Sequence, residues 1–569
     1  MYTASTAFLE ALQEAGVAVI FGNFGSDHPA LLEAIAEARA HGRPIPQVVT
    51  APYEMVGLHA AQGYAQVTGK AQAVIVHVDS GTLSLAGAIH NCAKGRAPVF
   101  IFAGLPPFTQ EGELKGSRNE FIMWLQDMPD QRGIVRGYVK YENELRTGTN
   151  IKQMVHRALQ FAQSDPKGPV YLTGAREVME EVVKPIKVSP AAFAPLKPGA
   201  LSEDQIAEVL SELMAAKHPL IATSYVGRQP EAVKHLVRLC HRLGIGVYES
   251  CPSTMNYPQD DELYLGPHWN QPVQHAGLAE ADVVLVLDSD VPWIPSHNKP
   301  NPKALIRHID VDPLKTDMPL WYIPAVASYT ADSLTVLKQL NAALGHRSVD
   351  VKAVAAKRAH WAEHSAKRAK KLEAAEAMPK GGITVPHLVA ALRKQIGSDA
   401  ICLSEGVTNF PPISDHIGRT EPGTFFTLGG GALGWNGGAA IGVKMAAPDQ
   451  DVVAITGDGS FMFSAPSSVH WMARQYQTPF LQIVLNNRGW NAPRFSALAV
   501  HPDGYASKAN TLDIAFDPPP AYAEIAAAAG GAYAAQVKTP EEVEEAIAKA
   551  LRVVREEKRC AVLDVWLPH

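Results

Sequence analysis

The run Thr456-Gly457-Asp458-Gly459-Ser460 and the pair Asn486-Asn487 supply the groups needed to hold a hard cation against phosphate oxygens. Asp451–Thr456 reads as a short buried strand, too brief and apolar for a helix. The glycines after it let the chain turn tightly and bring backbone N–H groups close to an anion. Ser464–Tyr476 reads as a helix and Pro479–Leu485 as the next buried strand, which Asn486 and Asn487 terminate. Both motifs then fall at the carboxyl edge of one parallel sheet, where α/β proteins bind ligands. Mg²⁺ takes about six oxygens and usually keeps phosphate and water among them. One carboxylate, one amide oxygen and one backbone carbonyl would fill the protein's share.

Residues 460 to 485 separate Gly459 from Asn486, and at this spacing the two motifs resemble the signature of the thiamine diphosphate (ThDP)-dependent enzymes. Either half alone is a common loop turn; their joint spacing between two apolar strands carries the likeness. The resemblance implies that Asp458, the Asn487 side chain and the Gly489 carbonyl ligate Mg²⁺. It places Gly457, Gly459 and Ser460 against the diphosphate.

ThDP reacts through C2 of its thiazolium, whose proton leaves only after one carboxyl group engages N1′ of the pyrimidine. Thr50-Ala-Pro-Tyr-Glu54, leading to Gly63-Tyr-Ala65, is similar to the family segment that supplies this group, and Glu54 takes the role. Thr50 is expected to cap a helix with Pro52 in its first turn, so Glu54 would stand near the helix start. There the dipole favours the ionised form by up to about 1–2 kcal/mol. Burial among Ala51, Met55 and Val56 opposes it, at about 1.36 kcal/mol per pKa unit. Gly429–Gly442 resembles the glycine-rich segment whose apolar residue bends the cofactor. That likeness gives Leu433 the wedge and Gly431 a carbonyl for the pyrimidine amino group. Thr408, in Ser404-Glu-Gly-Val-Thr408, lies where related chains bind phosphate oxygens.

The elements that must position these groups repeat along the chain. Its 569 residues suggest three or four domains of about 150 residues each. Strand-like runs at Ala71–Val78 and Ala97–Gly104, then Pro219–Thr223, Gly244–Tyr248, Asp282–Leu287 and Ala304–Asp310, alternate with helical sequence. Such alternation implies doubly wound parallel sheets. We expect an α/β chain of three such domains: pyrimidine-binding (1–185), central (200–345) and diphosphate- and Mg-binding (375–569), the roles following from the resemblance. Proline-rich 185–198 reads as a linker and 351–377 as a solvated connecting helix. A net charge of −6 argues against a nucleic-acid binder, and no apolar run approaches a membrane span. Five cysteines without C-x-x-C spacing and a start without a signal-peptide pattern suggest the cytoplasm.

Three further side chains bear on the reaction. Phe21-Gly-Asn-Phe-Gly-Ser26 resembles a segment of benzoylformate decarboxylase, as does His77 before the Ser80-Gly-Thr82 turn and His297 after the strand 282–287. Ser26 would hold a substrate carboxylate, and the two imidazoles would move protons near neutral pH. The chain also departs from that enzyme. Phe24 replaces a proline, Trp490 and Asn491 follow the Asn pair differently, and Asn119–Gln126 with Arg132–Arg136 looks more like acetolactate synthase. Phe121, Trp124, Trp490 and Phe495 are candidates for an apolar pocket wall. The expected activity is ThDP- and Mg²⁺-dependent decarboxylation or carboligation of a small-molecule 2-oxo acid. An acetolactate synthase-like ligase, a 2-hydroxyacyl-CoA or oxalyl-CoA lyase and a non-catalytic cofactor-binding protein are the alternatives. By the same resemblance the chain would form a homodimer or homotetramer with each site between subunits.

Overall fold

The computed structural model describes residues 1–509 and 512–568. Three six-stranded sheets are built from 18 strands, and every ladder within them is parallel. The first comprises β1 (Val19–Gly22), β2 (Gln47–Thr50), β3 (Gln72–Val76), β4 (Val99–Leu105), β5 (Tyr141–Leu145) and β6 (Pro169–Ala175), in the order β2-β1-β3-β4-β6-β5. The second comprises β7 (Pro219–Thr223), β8 (Gly246–Ser250), β9 (Tyr264–His268), β10 (Val283–Leu287), β11 (Leu305–Asp310) and β12 (Ala327–Thr330), in the order β12-β11-β10-β7-β8-β9. The third comprises β13 (Ile401–Glu405), β14 (Phe425–Thr427), β15 (Val452–Gly457), β16 (Leu481–Asn486), β17 (Tyr533–Val537) and β18 (Ala561–Trp566), in the order β14-β13-β15-β16-β18-β17.

Helices cover both faces of each sheet, so central strands such as Gln72–Val76 and Val283–Leu287 are buried along their whole length and read as apolar runs. The edge strands β12 and β17 are partly exposed and more polar. In the first and third sheets the last two strands are exchanged at the edge, with β6 inside β5 and β18 inside β17; the main reversals of winding lie between β1 and β3, between β7 and β10, and between β13 and β15. These reversals open crevices at the carboxyl ends of the strands.

The first and third sheets meet through the helices Glu54–Thr68 and Trp435–Ala446. Their backbones nearly touch: a methyl group at Gly442 would lie 1.8 Å from the Ala60 carbonyl oxygen, and one at Gly63 would lie 2.3 Å from that of Ala439. The helix Val351–Glu376 connects the second and third sheets and buries Trp361.

Two local expectations need correction. Thr50 is not a helix cap: it ends β2, paired in register with Gly22, and the helix starts at Glu54 after an uncapped Tyr53. The helix expected over 464–476 begins earlier, as Asp458–Phe463. It is broken at Ala465, whose φ of 50° is left-handed, and it resumes as Pro466–Gln475.

Candidate active site

Asp458 follows β15 directly and Asn487 follows β16, so both stand at the carboxyl edge beside the third sheet's crevice. Asp458 is buried. Its Oδ1 accepts the Gly459 N–H at 2.8 Å and its Oδ2 the Gly489 N–H at 3.0 Å. Burial pushes its carboxyl up to about 6. The two asparagines divide the work. Asn486 ties the turn down, donating to Asp564 Oδ1 at 2.9 Å and accepting the Arg488 N–H at 3.3 Å. Asn487 keeps its Oδ1 buried with no hydrogen-bond partner.

An orphaned buried amide oxygen is costly unless something else satisfies it. Gly489 adopts φ 151° and bridges to Ala515. That bridge uses the Arg488 carbonyl and the Trp490 N–H, not the Gly489 carbonyl. A carboxylate, an unsatisfied amide oxygen and a backbone carbonyl form an all-oxygen set that fits Mg²⁺. Gly459 must lack a side chain, since a methyl there would lie 2.4 Å from Trp490 Nε1.

The glycine-rich segment is fixed from two directions. Buried Glu405, at the end of β13, accepts the N–H groups of Gly434 at 2.6 Å and Asn436 at 2.7 Å, capping the helix Trp435–Ala446. Burial pushes its carboxyl up to about 7. From the first domain, Asn91 grips Ala432 through both backbone groups, at 2.8 and 3.0 Å. Gln62 and Gln66 donate to the Leu428 and Thr427 carbonyls at 2.9 and 3.0 Å. Leu433 is left half-buried and Gly431 exposed. Ser460 is buried beside Glu405, and Thr408 is half-buried in the turn Val407–Asn409. Glu405, Asn91 and the two glutamines were not singled out in the sequence. The one local hint was an acid at the end of an apolar strand, Glu405.

At the first sheet's crevice the loop after β1 carries Ser26 and Asp27, and His77 follows β3. Asp27 is buried and accepts from His77 Nδ1 in a very short hydrogen bond; its other oxygen accepts the Val78 N–H at 3.2 Å. His77 Nε2 lies 3.1 Å from the carbonyl oxygen of the Gln126 side chain. Both ring nitrogens therefore face acceptors, and the hydrogen bond to Asp27 raises the His77 pKa above its usual value.

Glu54 is half-buried, and burial raises its pKa. Gly81 sits between the two groups: a methyl there would lie 3.1 Å from both Glu54 Oε1 and His77 Cβ. Glu54 and His77 are thus neighbours, with Ser26 half-buried on the adjoining loop. Asp27 and Gln126 are the partners that sequence reasoning passed over.

Comparison with known proteins decides the class. Residues 2–134 match the N-terminal TPP-binding domain of thiamine pyrophosphate enzymes, 206–340 the central domain and 407–565 the C-terminal TPP-binding domain. The chain belongs to the thiamine diphosphate-dependent enzymes.

Within this family it is 24% identical to acetolactate synthase of Bacillus subtilis (strain 168), over 95% of this chain and 90% of that protein. It is 26% identical to sulfoacetaldehyde acetyltransferase of Alcaligenes xylosoxydans xylosoxydans, over 86% of this chain and 82% of that protein. Its fold is shared with the 4-hydroxybenzoylformate decarboxylase of Rhodococcus jostii RHA1, with a TM-score of 0.79, 22% identity and 99% of each chain covered. Benzoylformate decarboxylase of Polynucleobacter necessarius gives a TM-score of 0.77 at 19% identity, covering 100% of this chain and 99% of that one.

Two further features of this ThDP-dependent enzyme concern its central domain. His297 is exposed in the turn after β10, near His268, and no described contact joins it to His77, Ser26 or Glu54. The second sheet's crevice is filled by charge. Arg96, from the first domain, pairs with Asp290 at 2.8 Å and Asp310 at 2.9 Å, and Lys315 pairs with the same two carboxylates. The Tyr225 hydroxyl lies 2.7 Å from Asp310 Oδ2 and 3.1 Å from Asp290 Oδ1, with one proton to share between them. A cavity of about 320 Å³ remains beside this cluster, lined among others by Gln66, Asp165, Tyr225, Arg228 and Phe426. No helix among the described residues is long and apolar enough to cross a membrane.

Proposed function

We propose that this enzyme decarboxylates a small 2-oxo acid with ThDP and Mg²⁺, ending either in an aldehyde or in transfer to a second carbonyl. When bound, ThDP supplies a carbon nucleophile and the electron sink for loss of CO₂. Asp458, Asn487 and the Gly489 carbonyl would hold the Mg²⁺, a reading supported by the unsatisfied Asn487 Oδ1. Gly457, Gly459 and Ser460 would approach the diphosphate, with Thr408 a further contact. Leu433 would lie under the bend of the cofactor, and the Gly431 carbonyl would face its pyrimidine amino group. Glu54, whose burial favours the protonated form, would share its proton with pyrimidine N1′.

The observation that carries the substrate reading is the His77 imidazole, held by Asp27 next to Glu54. A cationic imidazole here would exchange its Gln126 contact for the carbonyl oxygen of a 2-oxo acid, offering Nε2–H as negative charge grows on that oxygen. Ser26 Oγ, on the adjoining loop, would hold the substrate carboxylate. His297 would reach the same substrate only from a second copy of the chain, so the active form is at least a dimer. A monomer in light scattering that retains activity would remove His297 from the site.

An acetolactate synthase-like carboligation is the second reading, favoured by the match to proteins of that name along nearly the whole chain. One experiment separates the two. Aliphatic, aromatic and CoA-linked 2-oxo acids are supplied with and without an aldehyde acceptor, and both CO₂ and product masses are followed. CO₂ with aldehyde supports the decarboxylase; CO₂ with a ligated 2-hydroxy ketone or acetolactate-type acid supports the ligase. No CO₂ from any 2-oxo acid rejects both.

A further inference from the structure

Away from this site, two histidines and a glutamate converge where the connecting helix Val351–Glu376 crosses the central domain. His360 and His364 are four residues apart and so share one face of that helix. Glu280 ends the short helix Ala276–Glu280, and its Oε2 lies 3.3 Å from His360 Nε2 and 3.2 Å from His364 Nε2. We propose that Glu280, His360 and His364 form a binding site for a divalent transition metal of the zinc class.

The geometry suits such an ion. Zinc bonds of about 2.0–2.2 Å to nitrogen and oxygen put neighbouring ligand atoms of a tetrahedral site roughly 3.3–3.5 Å apart. The two Glu280–His separations already have that length, and all three ligand atoms lie within 4.8 Å of one another. A purely ionic cluster accounts for the arrangement less well. Glu280 accepts a hydrogen bond from His364, but His360 Nε2 is buried and has no hydrogen-bond partner. That atom has given up water without gaining a bond, which a metal would supply.

The His360 ring is also held in place. It stacks on His218 with centroids 3.9 Å apart and 4° between planes, and packs edge-on against buried Trp361 at 4.5 Å. His218 Nδ1 in turn lies 3.3 Å from the Glu280 carbonyl oxygen. Support of this kind around a ligand set fixes ring orientation before an ion arrives. Two imidazoles and one carboxylate favour Zn²⁺ over Mg²⁺ or Ca²⁺, which prefer all-oxygen sets. Water would complete the coordination.

The site would act as a clamp. Further along the same helix Arg368 pairs with Asp415 at 2.9 Å and Glu376 with Arg393 at 2.8 Å, fastening that end to the third domain. A metal at Glu280, His360 and His364 would fasten the preceding turns to the central domain.

The test is calorimetric titration of ZnCl₂ into full-length protein saturated with ThDP and excess MgCl₂, followed by thermal melting. The expected result is one Zn²⁺ per chain and a raised melting temperature. His364→Ala and Glu280→Gln should each weaken binding at least tenfold, while His235→Ala, at another surface Glu–His pair, leaves it unchanged. Glu280→Gln preserves side-chain shape, so it reports on ligation even if a histidine variant folds poorly. No Zn²⁺ uptake by the parent protein overturns the proposal, as does uptake that is unchanged in both Glu280→Gln and His364→Ala.

Discussion

His77 and Asp27 lie fifty positions apart in sequence, yet the imidazole Nδ1 rests on the buried carboxylate across the crevice between β1 and β3. Asp27 is held in turn by the Val78 N–H, and there is no room to displace it: a methyl at Gly104 would lie 1.9 Å from its Oδ2. With Gln126 accepting on the other side, the ring is fixed in orientation and favoured as a cation. The pair turns a histidine singled out by its sequence context into an imidazole of fixed orientation whose Nε2–H points at the Gln126 side chain.

Removing that carboxylate should therefore move a pH profile. The folded pKa of His77 is raised, so its contribution to stability is complete below the unfolded value of about 6.5 and is lost as pH rises through the folded value. Activity that needs the cation should fall over the same upper range. In Asp27→Asn the basic limb of kcat should shift to lower pH, and His77→Ala should lose about 10²- to 10⁴-fold in kcat. A pH–rate profile of Asp27→Asn that superimposes on the parent's would rule out the coupling.

Glu54→Gln tests the activating carboxyl separately. The amide keeps the volume and the half-buried position at the helix start but has no acidic proton to share. ThDP binding by calorimetry should persist, while decarboxylation falls by about 10²-fold or more. Undiminished kcat in this variant would exclude Glu54 from cofactor activation.

Much of this framework could be read from the chain because parallel strands buried on both faces are uninterrupted apolar runs, as at Gln72–Val76 and Val283–Leu287. Motifs that end such strands, Asp458 and Asn487 among them, inherit a known edge of the sheet. Local signals failed where a neighbour overrode them. Thr50 has the composition of a cap but is held in β2 by pairing with Gly22. At Ala465 the break did carry a local mark, since Pro466 opens the second helix there and restricts the residue before it. Partners drawn from distant segments leave no local pattern at all: Asp27 for His77, Asn91 for Ala432, Arg96 for Asp310. His297 is a different case: it is exposed after β10, and no described contact joins it to His77, Ser26 or Glu54.

The cation cradle gives a prediction in which stability and binding separate. Asn487 Oδ1 makes no hydrogen bond, so Asn487→Ala should leave the melting temperature of the cofactor-free protein nearly unchanged. The rise in melting temperature on adding Mg²⁺ and ThDP should disappear. Because burial lifts Asp458 to about 6, protons should compete with the cation below that pH, weakening Mg²⁺ binding by about tenfold per unit. Calorimetry at stepped pH measures this. A slope that persists in Asp458→Asn would place the competing group elsewhere.

The contact between the first and third domains offers the sharpest stability test. At Gly442 an added methyl meets the Ala60 backbone oxygen at 1.8 Å, and backbone on both sides leaves no flexible side chain to yield. Gly442→Ala should therefore destabilise by about 1–3 kcal/mol, the usual cost of overpacking. Gly345 ends the helix Ser333–Gly345 with nothing within 4 Å of its missing side chain, so Gly345→Ala is the matched control and should be neutral or slightly stabilising. Urea unfolding of the two variants reads the difference. Since the helix carrying Ala60 also carries Glu54 at its start, Gly442→Ala should lower kcat more than its loss of stability alone would at temperatures where the fold is intact. Equal stability of the two variants would mean that the helices can separate without cost, and that the position of Glu54 does not depend on this packing.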